Sequence, residues 1–154
     1  MNLFEFACWY KESGYPRNSN PWTGKVFVTD VSSSSIIYVQ DQFTVEEYHM
    51  FPNAHAPGHS HPVDTLTIFL GGELSGTRLL GSGTFSTPMQ PPNNSVGGVL
   101  RKGDTHGLTS GSTGATMFTI FDWDNLTKKN SGIIEYYGPS LGPIHDQLLS
   151  QRSS

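Results

Sequence analysis

Apolar and polar positions alternate along most of this chain in short runs that end at turn residues. The run TVEEYHMF (44–51) is typical, because β-branched and aromatic residues recur in it and a Pro-Asn turn follows. Such runs predict strands with one face toward a core. About eight to ten of them favour a jelly roll or a closed barrel. The predicted strands are 25–31, 35–42, 44–51, 65–72, 75–83, 115–123 and 131–138, with shorter strands within 97–111.

The two ends of the chain depart from this pattern. Residues 1–24 mix aromatic and polar residues with two prolines, which predicts an irregular N-terminal arm laid over the barrel or over a partner subunit. Residues 25–140 hold the predicted barrel. In the tail, 141–154, the segment PIHDQLLSQ (143–151) predicts a short helix, because its proline takes a first-turn position.

Composition narrows the classes of protein and partner. The 154 residues predict one domain, and 17 Gly and 10 Pro with only 14% charged residues agree with an all-β chain. The net charge of −4 and the absence of a basic cluster argue against a nucleic-acid partner. The single Cys8 excludes an intrachain disulfide and a cysteine-rich zinc site. No apolar run reaches the length of a membrane span and the start lacks a signal-peptide pattern, so we expect a cytoplasmic protein.

The candidate chemistry lies in PGHSHP (57–62). In a strand, His59 and His61 share one face, and two imidazoles placed this way can bind a common ion at about 2.0–2.2 Å. A pair of this spacing also occurs as two solvent-facing loop histidines. His106, in RKGDTHGL (101–108), adds a third imidazole if the sheet folds back on itself.

The two histidine segments resemble the paired motifs of the cupin superfamily. The first motif is glycine, five residues, HxH, three or four residues, glutamate, six residues and glycine. Here Asn53 takes the first glycine position, His59 and His61 match, Thr65 takes the glutamate position and Gly72 matches. Asn is a mild change, because it tolerates the left-handed backbone of a tight turn.

The second motif is commonly glycine, five residues, PxG, two residues, histidine, three residues and asparagine. Gly103 and His106 match it, whereas Ser95, Arg101 and Ser110 replace the first glycine, the proline and the asparagine. The resemblance therefore implies an all-β, cupin-type double-stranded β-helix, that is, a jelly-roll barrel.

For the metal, the resemblance implies one divalent ion per chain held by His59, His61 and His106. Thr65 in place of glutamate leaves a neutral three-histidine set, as in the iron(II) dioxygenases that cleave diketones, gentisate or thiols. Fe(II) is thus the first candidate, with Zn, Ni or Mn as alternatives. A neutral set leaves positions for a small substrate and O₂ and favours an anionic substrate. Similar cupins are often homodimers that exchange N-terminal segments, a role that suits residues 1–24.

Further residues are candidates for catalysis or for extra ligands. Thr65 is placed to orient a bound water or substrate oxygen, and Tyr48, His49 and Glu47 are candidate general bases. Two possible extra ligands are Asp64, which faces away from the histidines unless a bulge re-aims it, and His55. The predicted substrate-binding residues are Arg78, Arg101, Phe69 and Met117, with Thr67, Phe118 and Trp123 as further pocket walls.

Two other functions fit the same residues. A non-redox lyase, isomerase or decarboxylase would use Zn, Ni or Mn as a Lewis acid and needs a general base near the ion. A non-catalytic small-molecule-binding cupin would have lost its metal, although all three matching histidines are present in this sequence.

Overall fold

The structure is a computed structural model that describes residues 1–124 apart from 60, 62, 81, 82, 88, 89 and 105, with the backbone alone for 57–59, 77–80 and 83–87. The strand predicted at 131–138 and the helix predicted at 143–151 lie outside these residues. The described part is mostly antiparallel β-sheet, which confirms the all-β class.

One helix and eight strands make up the described chain. In the sheet the strand order is β1-β2-β3-β8-β5-β6, while β4 pairs with β8 and β7 pairs with β5. The elements are α1 (Leu3–Glu12), β1 (Phe27–Val28), β2 (Ser32–Gln40), β3 (Phe43–Met50), β4 (His55–His59), β5 (Asp64–Leu80), β6 (Gly83–Thr87), β7 (Ser95–Val96) and β8 (His106–Asp122).

The two longest strands, β5 and β8, each join segments that the sequence predicted as separate strands. The glycines at 72 and 114 caused the split prediction, but in the structure they bend continuous strands. Both have positive φ, and a Cβ built on Gly72 would lie 2.3 Å from the carbonyl oxygen of Gly114. Only glycine permits this approach. The half of β8 before the bend pairs with β4, and the half after the bend pairs with β3.

Part of the N-terminal segment differs from the irregular arm that the sequence predicted, because residues 3–12 form α1, while residues 13–24 contain no helix or strand. Asn2 accepts a hydrogen bond from the Glu5 backbone N–H at 2.8 Å, and the Glu5 carboxylate accepts from the Asn2 backbone N–H, which completes a capping box. The buried helix residues pack on the chain's own sheet. Within the described part of the chain, no helix is long and apolar enough to cross a membrane.

The sheet has two faces of different character. The outer face lies under α1 and carries Phe43, Val45, Leu66, Ile68, Phe118 and Ile120. The prediction of Phe118 as a pocket wall was therefore wrong. The inner face carries two apolar clusters, which we call the end cluster (Trp22, Ile36, Val63, Phe121 and Trp123) and the bend cluster (Met50, Ala54, Ala56, Phe69, Leu74, Ala115 and Met117).

Candidate metal centre

His61 and His106 meet at the inner face. Their Nε2 atoms are 3.1 Å apart and their ring centroids 4.8 Å apart. His106 begins β8 and is 8% exposed, while His61 follows the end of β4. The Nδ1–H of His106 donates to the Asp104 carbonyl oxygen at 3.1 Å, and a carbonyl only accepts. The neutral His106 ring therefore presents its Nε2 lone pair toward His61.

This spacing fits two ligands of one ion. Nitrogen ligands bound at about 2.0–2.1 Å lie roughly 2.8–3.4 Å apart when the angle between them is between a right angle and tetrahedral. The bond from His106 Nδ1 to a backbone carbonyl is the usual arrangement that fixes the tautomer of a metal-binding histidine. Two of the predicted ligands thus have suitable geometry.

The third predicted ligand, His59, is paired with His106 in the backbone register, after a register shift between Ala56 and His59. Its side chain lies outside the described atoms. Among the side chains that are described, no three His, Cys, Asp or Glu residues form a cluster suited to an ion, so the three-histidine set stays a prediction. Thr65 is 1% exposed, and its backbone N–H and C=O both bond to Leu100.

Aromatic side chains hold the His61 ring. Phe121 meets it edge-on, with centroids 5.4 Å apart and an interplanar angle of 85°. Trp123 stacks on Phe121 at 5.6 Å and donates its Nε1–H to the Thr44 hydroxyl at 2.8 Å. The imidazole is therefore fixed against a rigid wall, which favours ligand geometry that is set before an ion binds.

Solved structures with a similar fold were found, although no protein-family model and no curated protein matches the chain. Oxalate decarboxylase from Bacillus subtilis, described with Mn(II) centres, is 14% identical over 64% of this chain and 27% of its own, with a TM-score of 0.55. The formate complex of Lactobacillus farciminis oxalate decarboxylase is 11% identical over 73% and 36%, at 0.57. Vicilin from Corylus avellana is 7% identical over 64% and 31%, at 0.54.

These neighbours are cupin-fold proteins, and their strands superpose on the jelly roll described above. The chain has the cupin fold. It spans about a quarter to a third of the length of these neighbours. The fold expected from the motif resemblance is therefore confirmed.

Two predicted pocket residues, Phe69 and Met117, lie on the inner face. They are cross-strand partners on β5 and β8, with exposures of 2% and 0%. Arg78 is paired with His106 in the backbone register, and its side chain lies outside the described atoms. Arg101 is at the surface, where its guanidinium contacts the Asp64 carboxylate at 3.1 Å.

Neither possible extra ligand is placed beside His61 and His106. The Asp64 carboxylate accepts from Arg101 and from the Lys102 backbone N–H at 2.8 Å, as expected for a strand residue facing away from the interior. His55 is exposed, with Nδ1 2.9 Å from the Thr109 hydroxyl. Both side chains serve surface contacts.

The three candidate bases on β3 divide between the faces. Glu47 and His49 bond to each other at 2.9 Å on the outer face, and Glu47 also pairs with Arg17. Burial alone would raise the pKa of Glu47, but its bonds to His49 and Arg17 outweigh burial and lower it. Tyr48 is on the inner face, where burial raises the pKa of its hydroxyl and Ser32 hydrogen-bonds it.

Sequence reasoning missed Glu46, which lies between these residues. Its side chain is 3% exposed, and Oε2 has no hydrogen-bond partner among the described residues. Burial raises its pKa to about 8. A signal was available, because strand alternation places Glu46 on the same face as Tyr48 and the apolar Met50.

Proposed function

We propose that this cupin is a mononuclear, divalent-metal-dependent enzyme that acts on a small anionic organic substrate. The observation that carries the proposal is the His61–His106 pair, whose Nε2 atoms are 3.1 Å apart at a partly buried position. Opposite residues of an antiparallel pair share a face, so the His59–His106 register supports His59 as the third ligand.

The chemistry divides between the ion and the chain. A bound divalent ion would supply a Lewis acid that polarises a substrate oxygen. Phe121 and Trp123 hold His61 in place and keep water from one side of the site. The neutral ligand set leaves the ion its full charge, which attracts a carboxylate or an enolate. Phe69 and Met117 are fully buried in the bend cluster, where they support the inner face by packing.

Of the two types of reaction, a non-redox one, catalysed by a lyase, isomerase or decarboxylase, has the better support. It requires an acid or base inside the barrel, and Glu46 is such a group. The Mn(II) of the oxalate decarboxylase neighbour agrees with this branch. The donor set itself favours a second candidate, an iron(II) dioxygenase, because three neutral histidines are the set that the cupin dioxygenases use.

The test is metal content. Protein purified anaerobically without a tag, and reconstituted separately with Mn(II), Fe(II) and Zn(II), should hold about one ion per chain. Replacement His61→Ala or His106→Ala should abolish binding while the β-sheet circular dichroism stays unchanged. His55→Ala is the matched control, since the exposed His55 hydrogen-bonds through its side chain to Thr109 alone within the described residues, and this variant should keep its ion.

Oxygen uptake then separates the two reactions. Substrate-dependent oxygen consumption by the iron form over a panel of diketones, thiols and aromatic acids would support the dioxygenase. Turnover of a carboxylate by the manganese form without oxygen uptake would support the non-redox enzyme. A wild type that binds no ion after reconstitution overturns both and leaves a small-molecule-binding cupin.

A further inference from the structure

Glu46 lies in the middle of β3 and faces the same interior as the candidate metal centre. The register pairs it with Thr119 on β8. Thr119 and Phe121 are two residues apart on that strand, so their side chains share the inner face. Phe121 is the residue whose ring meets His61 edge-on at 5.4 Å. On the inner face, the cross-strand row of Glu46 and Thr119 is therefore next to the row that contains Phe121.

Three polar residues, Glu46, Thr119 and Thr67, form a row across β3, β8 and β5 between the apolar residues of the two clusters. On β2 the row continues with Ile36 of the end cluster. Thr67 and Thr119 are only partly buried. The inner-face residues in the neighbouring rows, Phe69, Met117 and Phe121, are 2% exposed or less. Around the buried Glu46, the partly exposed inner-face residues are thus Thr67 and Thr119 in its own row and Tyr48 in the next.

Burial of the Glu46 carboxyl group lowers the stability of the fold. It is 3% exposed, and Oε2 has no hydrogen-bond partner among the described residues. An unpaired buried polar group destabilises a fold, so structure alone does not account for a glutamate here. A leucine or glutamine of similar size would fill the same volume.

The groups around it leave the carboxyl available to a ligand. On β3 the nearest titratable group is Tyr48, whose hydroxyl hydrogen-bonds Ser32. Across the same interior lie His61 and His106. The described residues of β2, β5 and β8 that continue its row are Ile36, Thr67 and Thr119, and none of them titrates.

We propose that Glu46 is an acid–base residue of this cupin that contacts the bound substrate, a small carboxylate held beside His61 and His106. This inference rests on the proposed metal-dependent function. A neutral carboxylic acid donates its O–H to a carboxylate oxygen, whereas a charged glutamate would repel it. Burial keeps Glu46 protonated at neutral pH, because it raises the pKa to about 8.

Glu46 can donate the proton in this step without a second acid. When the substrate develops negative charge on a carbon or oxygen atom, the O–H bond of Glu46 breaks and its proton goes to that atom. The substrate's electron pair forms the new C–H or O–H bond, and Glu46 is left as a carboxylate. A proton from solvent restores the Glu46 carboxyl group before the next turnover.

The test measures binding of oxalate, a small dicarboxylate probe, to the Mn(II)-loaded protein by calorimetry between pH 6 and 9. We expect Glu46→Leu to keep one ion per chain but to bind oxalate about ten-fold more weakly, because a hydrogen bond is lost. Wild-type affinity should fall above pH 8, while Glu46→Gln, which stays neutral, should show no such fall. Glu73→Gln is the control, since the exposed Glu73 bonds only to Ser112 and Thr113 among its contacts.

A second measurement does not depend on a stable variant. The infrared spectrum of the wild type and of Glu73→Gln at pH 7 should contain a protonated carboxyl band that shifts when oxalate is added. Wild-type oxalate affinity in Glu46→Leu, with no oxalate-sensitive band, overturns the role of Glu46 alone. Loss of the ion in both Glu46 variants makes Glu46 a metal ligand and overturns it too. A wild type that binds neither Mn(II) nor oxalate overturns the proposed function itself, and this inference with it.

Discussion

Glu46 and Glu47 are neighbours in sequence, and they show what separates the two faces of this sheet. Glu47 lies on the outer face, where Arg17 and His49 bind its carboxylate and lower its pKa. Glu46 lies on the inner face, where Oε2 has no partner among the described residues and burial raises its pKa. On the outer face the carboxylate is therefore paired, as a stable fold requires. On the inner face a carboxyl group stays buried with an unpaired oxygen, which lowers the stability of the fold.

The same difference extends along the faces. On the outer face α1 packs against the strands through aromatic stacking, with Phe6 and Phe43 rings 4.2 Å apart. On the inner face a row of polar side chains separates two apolar clusters, and two imidazoles meet nearby. Binding and catalytic sites often hold buried polar groups with shifted pKa values, and in the described chain Glu46 and the two imidazoles lie on the inner face.

The largest expected effect is the pH dependence that Glu46 gives to stability. The folded chain keeps the Glu46 proton up to about pH 8, while the unfolded chain loses it near 4.5. Because the folded state binds more protons in this window, the free energy of unfolding falls as pH rises from about 4.5 to 8, by about 5 kcal/mol. Urea unfolding of the metal-free wild type and of Glu46→Gln at several pH values should show this loss in the wild type alone.

Glu47→Gln tests the same comparison. The pH dependence that Glu47 gives to the free energy of unfolding has the opposite sign to that of Glu46. The lowered pKa of Glu47 contributes stability that is present above its ordinary value and is lost as pH falls. Glu47 is partly exposed, so the contribution should stay below about 1 kcal/mol. If both variants change stability with the same sign of pH dependence, the two carboxyls do not lie in the different environments described here.

The outer face is tested by Phe6→Ala. Phe6 is fully buried and stacks on Phe43, so truncation should lower the free energy of unfolding by about 3–5 kcal/mol. Phe4→Ala is the control on the same helix, because Phe4 is 52% exposed, and it should change stability by less than about 0.5 kcal/mol. Metal content should be unchanged in both. Equal stability of the two variants would mean that α1 does not pack on the sheet.

The fold could be predicted to a useful level because it follows local rules. Runs of β-branched and aromatic residues mark β2, β3, β5 and β8, and the histidine spacing led to the cupin resemblance. The bends at Gly72 and Gly114 were misread as strand ends, since a glycine pattern looks the same in a turn and in a bent strand. Whether two such glycines approach each other depends on tertiary contacts.

The site was only partly predictable for a similar reason. His61 and His106 meet as the motifs implied. The alternation of β3 separates Glu46 from Glu47, but sequence alone does not show which face α1 covers. Arg101 was expected in the pocket, yet Asp64 holds it at the surface, and such a surface ion pair cannot be predicted from spacing. Partner choice among charged side chains is decided by three-dimensional packing.

Helix α1 was missed because its stability comes from both an end signal and tertiary packing. Its aromatic residues are weak helix formers, so propensity did not reveal it. Packing on the outer face compensates for the weak propensity. The usable signal was Asn2 followed three residues later by Glu5, which is the pattern of a capping box.

Replacement of Asn2 tests that signal. In Asn2→Ala the helix loses the acceptor for the Glu5 backbone N–H, which lies 2.8 Å from Asn2 Oδ1. The free energy of unfolding should fall by about 1 kcal/mol. Asn2→Asp is the matched control: it keeps an acceptor and should stay within about 0.5 kcal/mol of the wild type, although its charge lies beside the Glu5 carboxylate. Because the helix end is far from the inner face, oxalate binding and metal content should stay at wild-type levels in both variants. A change in metal content would show that the two faces are coupled through the sheet, which contradicts the separation of stability and chemistry drawn here.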